Sequence, residues 1–146
     1  MTSLITPQNS ALAVGFVSLL DPLPIGFFTA AWIFDIIYIY SSEIAWTQAA
    51  SWLIVFGLLI AIIPRLINLV QVWVGTSYPQ SSAVKLHFWA SALAIILSIF
   101  NAFIHSRDAF AVVPAGVTLS SLVVLLLLIA NLQLALRQRK AYGEAK

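Results

Sequence analysis

Long apolar runs, each broken by a few polar or proline-containing positions, fill most of the chain. Four of them, at about residues 23–40, 46–63, 86–105 and 117–136, approach the roughly 20 helical residues that cross a hydrocarbon core. Lipid offers no hydrogen bonds to exposed amides and carbonyls, so such runs must satisfy their own backbone as helices. The pattern therefore predicts an all-α integral membrane four-helix bundle, up-and-down, forming a single transmembrane domain over residues 1–146. Left-handed packing at roughly +20° is the default for such bundles.

The breaks give the details. Asp21-Pro22-Leu23-Pro24 opens the first span, with proline suited to a first turn and Asp21 placed to cap it. Pro64 lacks an amide donor and crowds the preceding turn, so a kink or break is expected there. The second span is read as Trp46–Ile63, with Arg65–Val74 a bent continuation or an interfacial helix. Ala11–Leu20 is too short to span and is expected to form a short N-terminal interfacial segment or to pack on the bundle. Thr76–Ser82 reads as a polar loop. Tyr38, Tyr40, Trp46, Trp52, Trp73 and Tyr78 fall near span ends, where amphipathic rings favour the headgroup region; Trp32 and Trp89 fit such a belt less well.

One face of the third span is not apolar. His87, Ser91, Ala94, Ser98, Asn101 and His105 recur in steps of four and three, the spacing of a single helix face. A membrane helix turns such a stripe toward protein or a polar cavity, here expected to be the first and second helices. Asp35 is set among apolar residues inside the first span. An unpartnered carboxylate at membrane depth is costly, by at least ~2.5–3.5 kcal/mol on insertion scales. It should be protonated or paired, with His105 or Arg107 as the nearest candidates in depth. A buried pair that fixes helix register and a site handling protons or a polar ligand are both consistent with that placement. The functional or register-fixing set is thus Asp35, His87, Asn101, His105 and Arg107. Arg65 is a further candidate at the opposite rim, where a snorkelling side chain is the simpler reading.

Composition narrows the classes. The chain is 62% hydrophobic and 8% charged, against about 25% charged in soluble domains, so lipid is its main solvent. Its net charge of +2 and the absence of basic clusters beside aromatics argue against nucleic-acid binding. With no cysteine, disulfides, thiolate metal sites and cysteine nucleophiles are excluded. No Lys or Arg precedes Arg65, so a cleaved signal peptide is not expected. Arg137, Arg139, Lys140 and Lys146, with Lys85, outweigh the opposite side, where Arg107 is largely offset by Asp108. That asymmetry predicts a bacterial inner membrane protein with both termini cytoplasmic.

Specific chemistries fare unevenly. His87 and His105 are eighteen positions apart, roughly 27 Å along a helix, so one haem iron cannot take both. A haem b site would need a five-coordinate iron or histidines shared between copies. No metal-ligand spacing occurs. Protonatable groups near each interface would suit a quinone headgroup, with His87 or His105 as the hydrogen-bonding partner. No Gly-x-Ser-x-Gly elbow or His-Glu-x-x-His helix occurs, and Ser91, Ser98, Gly26 and Gly57 read as close-approach positions.

Leu23-Pro24-Ile25-Gly26, Asp35, Trp46, Gly57, Pro64, His87, Asn101 and Arg107 together resemble an uncharacterised bacterial four-helix membrane family, domain of unknown function twenty-two thirty-one. The resemblance covers roughly residues 20 to 125. Similar members often carry His-Pro where this chain has Asp21-Pro22, and Gly then Asp where it has Arg65 and Asn68. Asn131-Leu132-Gln133-Leu134 replaces a glycine-rich end of the fourth span. The resemblance implies fold and membrane residence without an activity. Members are often encoded near periplasmic quinoprotein-type sugar dehydrogenases, which implies a redox-linked partner.

Three functions follow as expectations. The first is a noncatalytic membrane subunit that anchors or assembles a larger complex through a protein partner or a homo-oligomer, with quinone-linked redox chemistry as one setting. The second is a small haem- or quinone-binding electron carrier. The third is a small oligomeric proton-coupled transporter. The lipid bilayer is common to all.

Overall fold

The computed structural model describes residues 22–74 and 82–144. It contains four long helices: α1 (Leu23–Ser41), α2 (Ile44–Val74), α3 (Ser82–His105) and α4 (Ala115–Glu144), with a 3-10 turn at Ala109–Ala111. Each contains a stretch long and apolar enough to cross a membrane: Leu23–Ser41, Ile44–Pro64, Lys85–His105 and Ala115–Arg137. Between 22% and 33% of each stretch is buried inside the protein. So small a buried share in so apolar a surface requires a lipid surround, and the all-α membrane bundle follows.

The helix starts and stops have local causes. Pro22 occupies the α1 cap position without a side-chain hydrogen bond, and Pro24 follows in the first turn, where a missing amide hydrogen is harmless. The expected cap, Asp21, and the segment Ala11–Leu20 lie outside the described residues, as do positions 76–81 of the expected loop. α1 stops at Ser42, whose left-handed φ of 56° turns the chain while its amide donates to the Tyr38 carbonyl at 2.8 Å. Such a left-handed residue is a common helix terminator, and it leaves a two-residue link to α2.

Pro64 does not end α2. The helix runs through it, so Arg65–Val74 is a continuation and not a separate interfacial helix. Membrane helices tolerate proline because neighbouring groups and local adjustment take over the freed carbonyl. α3 begins at Ser82 and α4 reaches Glu144, so both extend beyond the apolar runs that announced them.

The helices form a ring in chain order. α1 packs closely on α2 and α3 on α4, α4 closes against α1, and the α2–α3 seam is the lightest. The core is built on Phe28, Ile54, Leu58, Val123 and Leu127, with Ala31, Ala50 and Ala94 between them. Small residues let backbones approach, which is how membrane helices gain packing energy. Gly57 serves this purpose: a Cβ there would sit 2.9 Å from Phe28 Cε1. Gly26 does not, since nothing lies within 4 Å of its Cβ position. Trp52, Leu59, Trp89, Phe100, Phe103 and Leu128 point outward, as side chains facing acyl chains do.

Candidate functional site

Asp35, at 2% exposure, lies inside the bundle in the half that holds the α3 C-terminus. His105 Nε2 is 2.7 Å from its Oδ1. Ser120 of α4 donates its hydroxyl to the other oxygen, Oδ2, and in turn accepts from Asn101 Nδ2 at 2.7 Å. His105 Nδ1 lies 3.0 Å from the Asn101 carbonyl oxygen, one turn back on α3. Four side chains from α1, α3 and α4 thus close a single hydrogen-bonded cluster.

The donors fix its proton arrangement. A backbone carbonyl only accepts, so Nδ1 carries a hydrogen. Nε2 and Oδ1 then share one further proton, as imidazolium with carboxylate or as neutral imidazole with the acid. Either distribution leaves the pair without net charge, which is what membrane depth demands. Asn101 Oδ1 is the exception to this closure: it is buried without a hydrogen-bond partner among the described residues.

α1 makes three polar ties along one face, at steps of three. Trp32 Nε1 donates to Ser121 Oγ of α4 at 2.9 Å, Asp35 holds the cluster, and Tyr38 donates its hydroxyl to the Ala109 carbonyl at 3.1 Å. Gly116, in the first turn of α4, lets that helix meet His105. A Cβ at this position would fall 2.5 Å from Val112 Cγ1 and 3.0 Å from His105 Cε1.

The expected site residues separate into groups. Asp35, Asn101 and His105 come together. Arg107 is not Asp35's partner: it is exposed beyond the end of α3 and borders a cleft. Asp108 accepts from the Phe110 amide at the 3-10 turn. His87 lies at the other end of α3, half-buried beside a cavity of about 30 Å³ lined also by Pro64, Ser91 and Asn131. Ser91 Oγ is buried there without a hydrogen-bond partner among the described residues. Arg65 follows Pro64 on α2; its side chain lies outside the described part. At its Asn101–His105 end the α3 stripe faces α1, as expected, and α4, where Ser120 supplies the hydroxyl that completes the cluster; at its His87–Ser91 end it also borders Ala61 and Pro64 of α2.

Ser120, Ser121, Trp32, Tyr38 and Gly116 are the members that sequence reasoning missed. A Ser-Ser pair inside the apolar fourth span and the three-residue spacing of Trp32, Asp35 and Tyr38 were the available signals. The haem arrangement does not fit these residues. Both nitrogens of His105 are already engaged, and His87 is a helix length away.

At the same end, a cleft of about 360 Å³ opens between the start of α2 and the end of α3. Ile44, Thr47, Gln48, Ser51 and Trp52 form one wall; His105, Arg107 and Ala109 form the other.

A family model described as "Predicted membrane protein (DUF2231)" matches residues 18–134. The chain belongs to that family. Its match takes in all four apolar stretches up to residue 134, including every residue of the Asp35 cluster. No curated protein and no solved structure matches this family member.

Proposed function

We propose that this family member is a noncatalytic membrane subunit that anchors or assembles a larger complex. The observation that carries the reading is the closure of the Asp35 cluster. The carboxylate and the imidazole spend their hydrogen bonds on each other, on Ser120 and on the Asn101 carbonyl, so neither is held ready for a substrate. What the cluster does is tie α1, α3 and α4 in one register. The cationic tail supports an inner-membrane orientation with cytoplasmic termini, and the outward aromatic residues offer surface to a protein partner or a second copy. Nothing in the cluster singles out quinone chemistry; that setting comes from the resemblance and from the protonatable groups near each interface. Purification in mild detergent should recover a stoichiometric protein partner or a defined homo-oligomer. A monodisperse monomer under several mild conditions would overturn the reading.

One observation favours a second reading, a proton-coupled transporter acting as an oligomer. Asp35 and His105 share a proton at membrane depth, and the cleft reaches His105. If a proton-linked flux is found, Asp35→Asn should abolish it; an unchanged flux would remove this alternative.

A further inference from the structure

We propose that the cleft between the start of α2 and the end of α3 is a binding site for a phosphate oxyanion, with Arg107 as its charged partner. The proposal is independent of whether the protein anchors a complex. Its starting point is the wall of α2. Thr47, Gln48 and Ser51 are the polar side chains of this helix's first eight residues, and all three border one cleft. A membrane helix that faced lipid here would carry apolar residues, as α2 does farther on at Val55, Phe56 and Leu59. Thr47 is buried, with 4% of its surface exposed, so the residue faces the protein and not lipid.

The charge is supplied by Arg107. No carboxylate among the described residues forms an ion pair with it, and the Asp35 carboxylate is paired with His105. Asp108 is turned to the Phe110 amide, and Glu43, at the foot of α2, is not among the residues that border the cleft. The Asp35 carboxylate is turned to His105 and Ser120 and does not border the cleft. The α2 N-terminus and the α3 C-terminus border the same space from opposite walls, so their end charges offset each other and the attraction rests on the guanidinium. A guanidinium with amide and hydroxyl donors around a cleft is the donor set that grips a tetrahedral oxyanion.

The size and depth agree. A volume of about 360 Å³ falls within the range of small-molecule sites and exceeds what a bare ion needs. The cleft lies at a span end, where phospholipid phosphates are found, and its rim carries Ile44 and the exposed ring of Trp52. Those apolar groups suit the glycerol and acyl part of a lipid. Phosphate could equally arrive as a free ester from water, and the recognition chemistry would be the same.

Native mass spectrometry of the full chain separates the sources. Protein in mild detergent is equilibrated with phosphatidylglycerol, with phosphatidylcholine, or with glycerol 3-phosphate, each against wild type, Arg107→Gln, Ser51→Ala and Arg139→Gln. Arg139 is exposed at the far end of α4 and controls for general attraction to anions. Wild type should retain one phosphatidylglycerol or one glycerol 3-phosphate, with Arg107→Gln lowering retention about tenfold and Ser51→Ala several-fold. Retention of the lipid alone assigns a headgroup site; retention of both assigns a site for phosphate esters at large. Circular dichroism confirms that each variant is folded. Equal retention by wild type and Arg107→Gln, an equal fall with Arg139→Gln, or no retention of any phosphate compound would overturn the proposal.

Discussion

His105 Nε2 lies 2.7 Å from Asp35 Oδ1, both side chains buried, and this contact joins the end of α3 to the middle of α1. Helices in lipid gain little from apolar contact with each other, because the acyl chains are equally apolar. Polar contacts of this kind therefore set register as well as contributing energy. Asp35 reaches α4 through Ser120 at the same time, so one side chain positions three helices.

Asp35 substitutions should separate charge from shape. Asp35→Ala leaves the imidazole and the Ser120 hydroxyl without their acceptor and should cost about 3–5 kcal/mol, the scale for breaking a buried pair from one side. Asp35→Asn can donate its amide to a neutral Nε2 and accept from Ser120, so its loss should stay under about 1.5 kcal/mol. Unfolding in mixed micelles measures both. Equal losses would mean that the carboxylate's hydrogen bonds are not what holds the helices.

Ser120→Ala removes the hydroxyl that stands between Asn101 Nδ2 and Asp35 Oδ2. Two buried groups lose their partner, with an expected destabilisation of about 1–3 kcal/mol. The effect of Asn101→Ala should be strongly non-additive with it, because both act on one chain of bonds. Ser121→Ala, which takes away the partner of Trp32 Nε1, should add independently to Ser120→Ala within about 0.5 kcal/mol if the two ties are separate. A double-mutant cycle gives both couplings.

Much of this architecture was legible in the chain, for physical reasons. Span count and fold class follow from apolar run length, because the bilayer fixes the length needed. Asp35 and His105 could be matched because a carboxylate in lipid requires a partner at its own depth. Ser120 was not found because a serine in an apolar helix has a sufficient local explanation: it can bond its own backbone, as Ser98 does to Ala94 at 2.8 Å. For the same reason nothing in the sequence draws the Asn101–His105 end of the α3 stripe toward α4. At Pro64 the sequence leaves a bent continuation and a separate interfacial helix open, because proline weakens a helix without always ending it; the unbroken α2 decides for the continuation. Gly57 and Gly26 look alike in sequence, and only the packing of Phe28 against the first tells them apart.

Haem should give no axial spectrum with this protein. His105 would have to surrender either Asp35 or the Asn101 carbonyl to bind iron. Titration of the purified chain with haem should produce the diffuse absorption of nonspecific uptake, identical in wild type and His105→Gln. A sharp Soret band lost on that substitution would show that the cluster opens.

Gly116→Ala tests whether the contact between α4 and the imidazole limits the fold. The added methyl group would lie 2.5 Å from Val112 Cγ1 and 3.0 Å from His105 Cε1. Val112 is buried and β-branched, so it has little freedom to yield, and the ring is tethered at both nitrogens. Overpacking of this kind costs about 1–3 kcal/mol, more than the helix propensity gained by replacing glycine, roughly 1 kcal/mol at most. Gly26→Ala supplies the matched control. Its methyl meets nothing within 4 Å, so propensity alone acts and stability should be unchanged or slightly higher. Melting of both variants, with the imidazole resonances of His105 followed by NMR, distinguishes the cases. Gly116→Ala should shift those resonances and lower the midpoint, while Gly26→Ala should do neither. If the two variants behave alike, α4 is free to move away from His105, and the cluster is looser than its distances indicate.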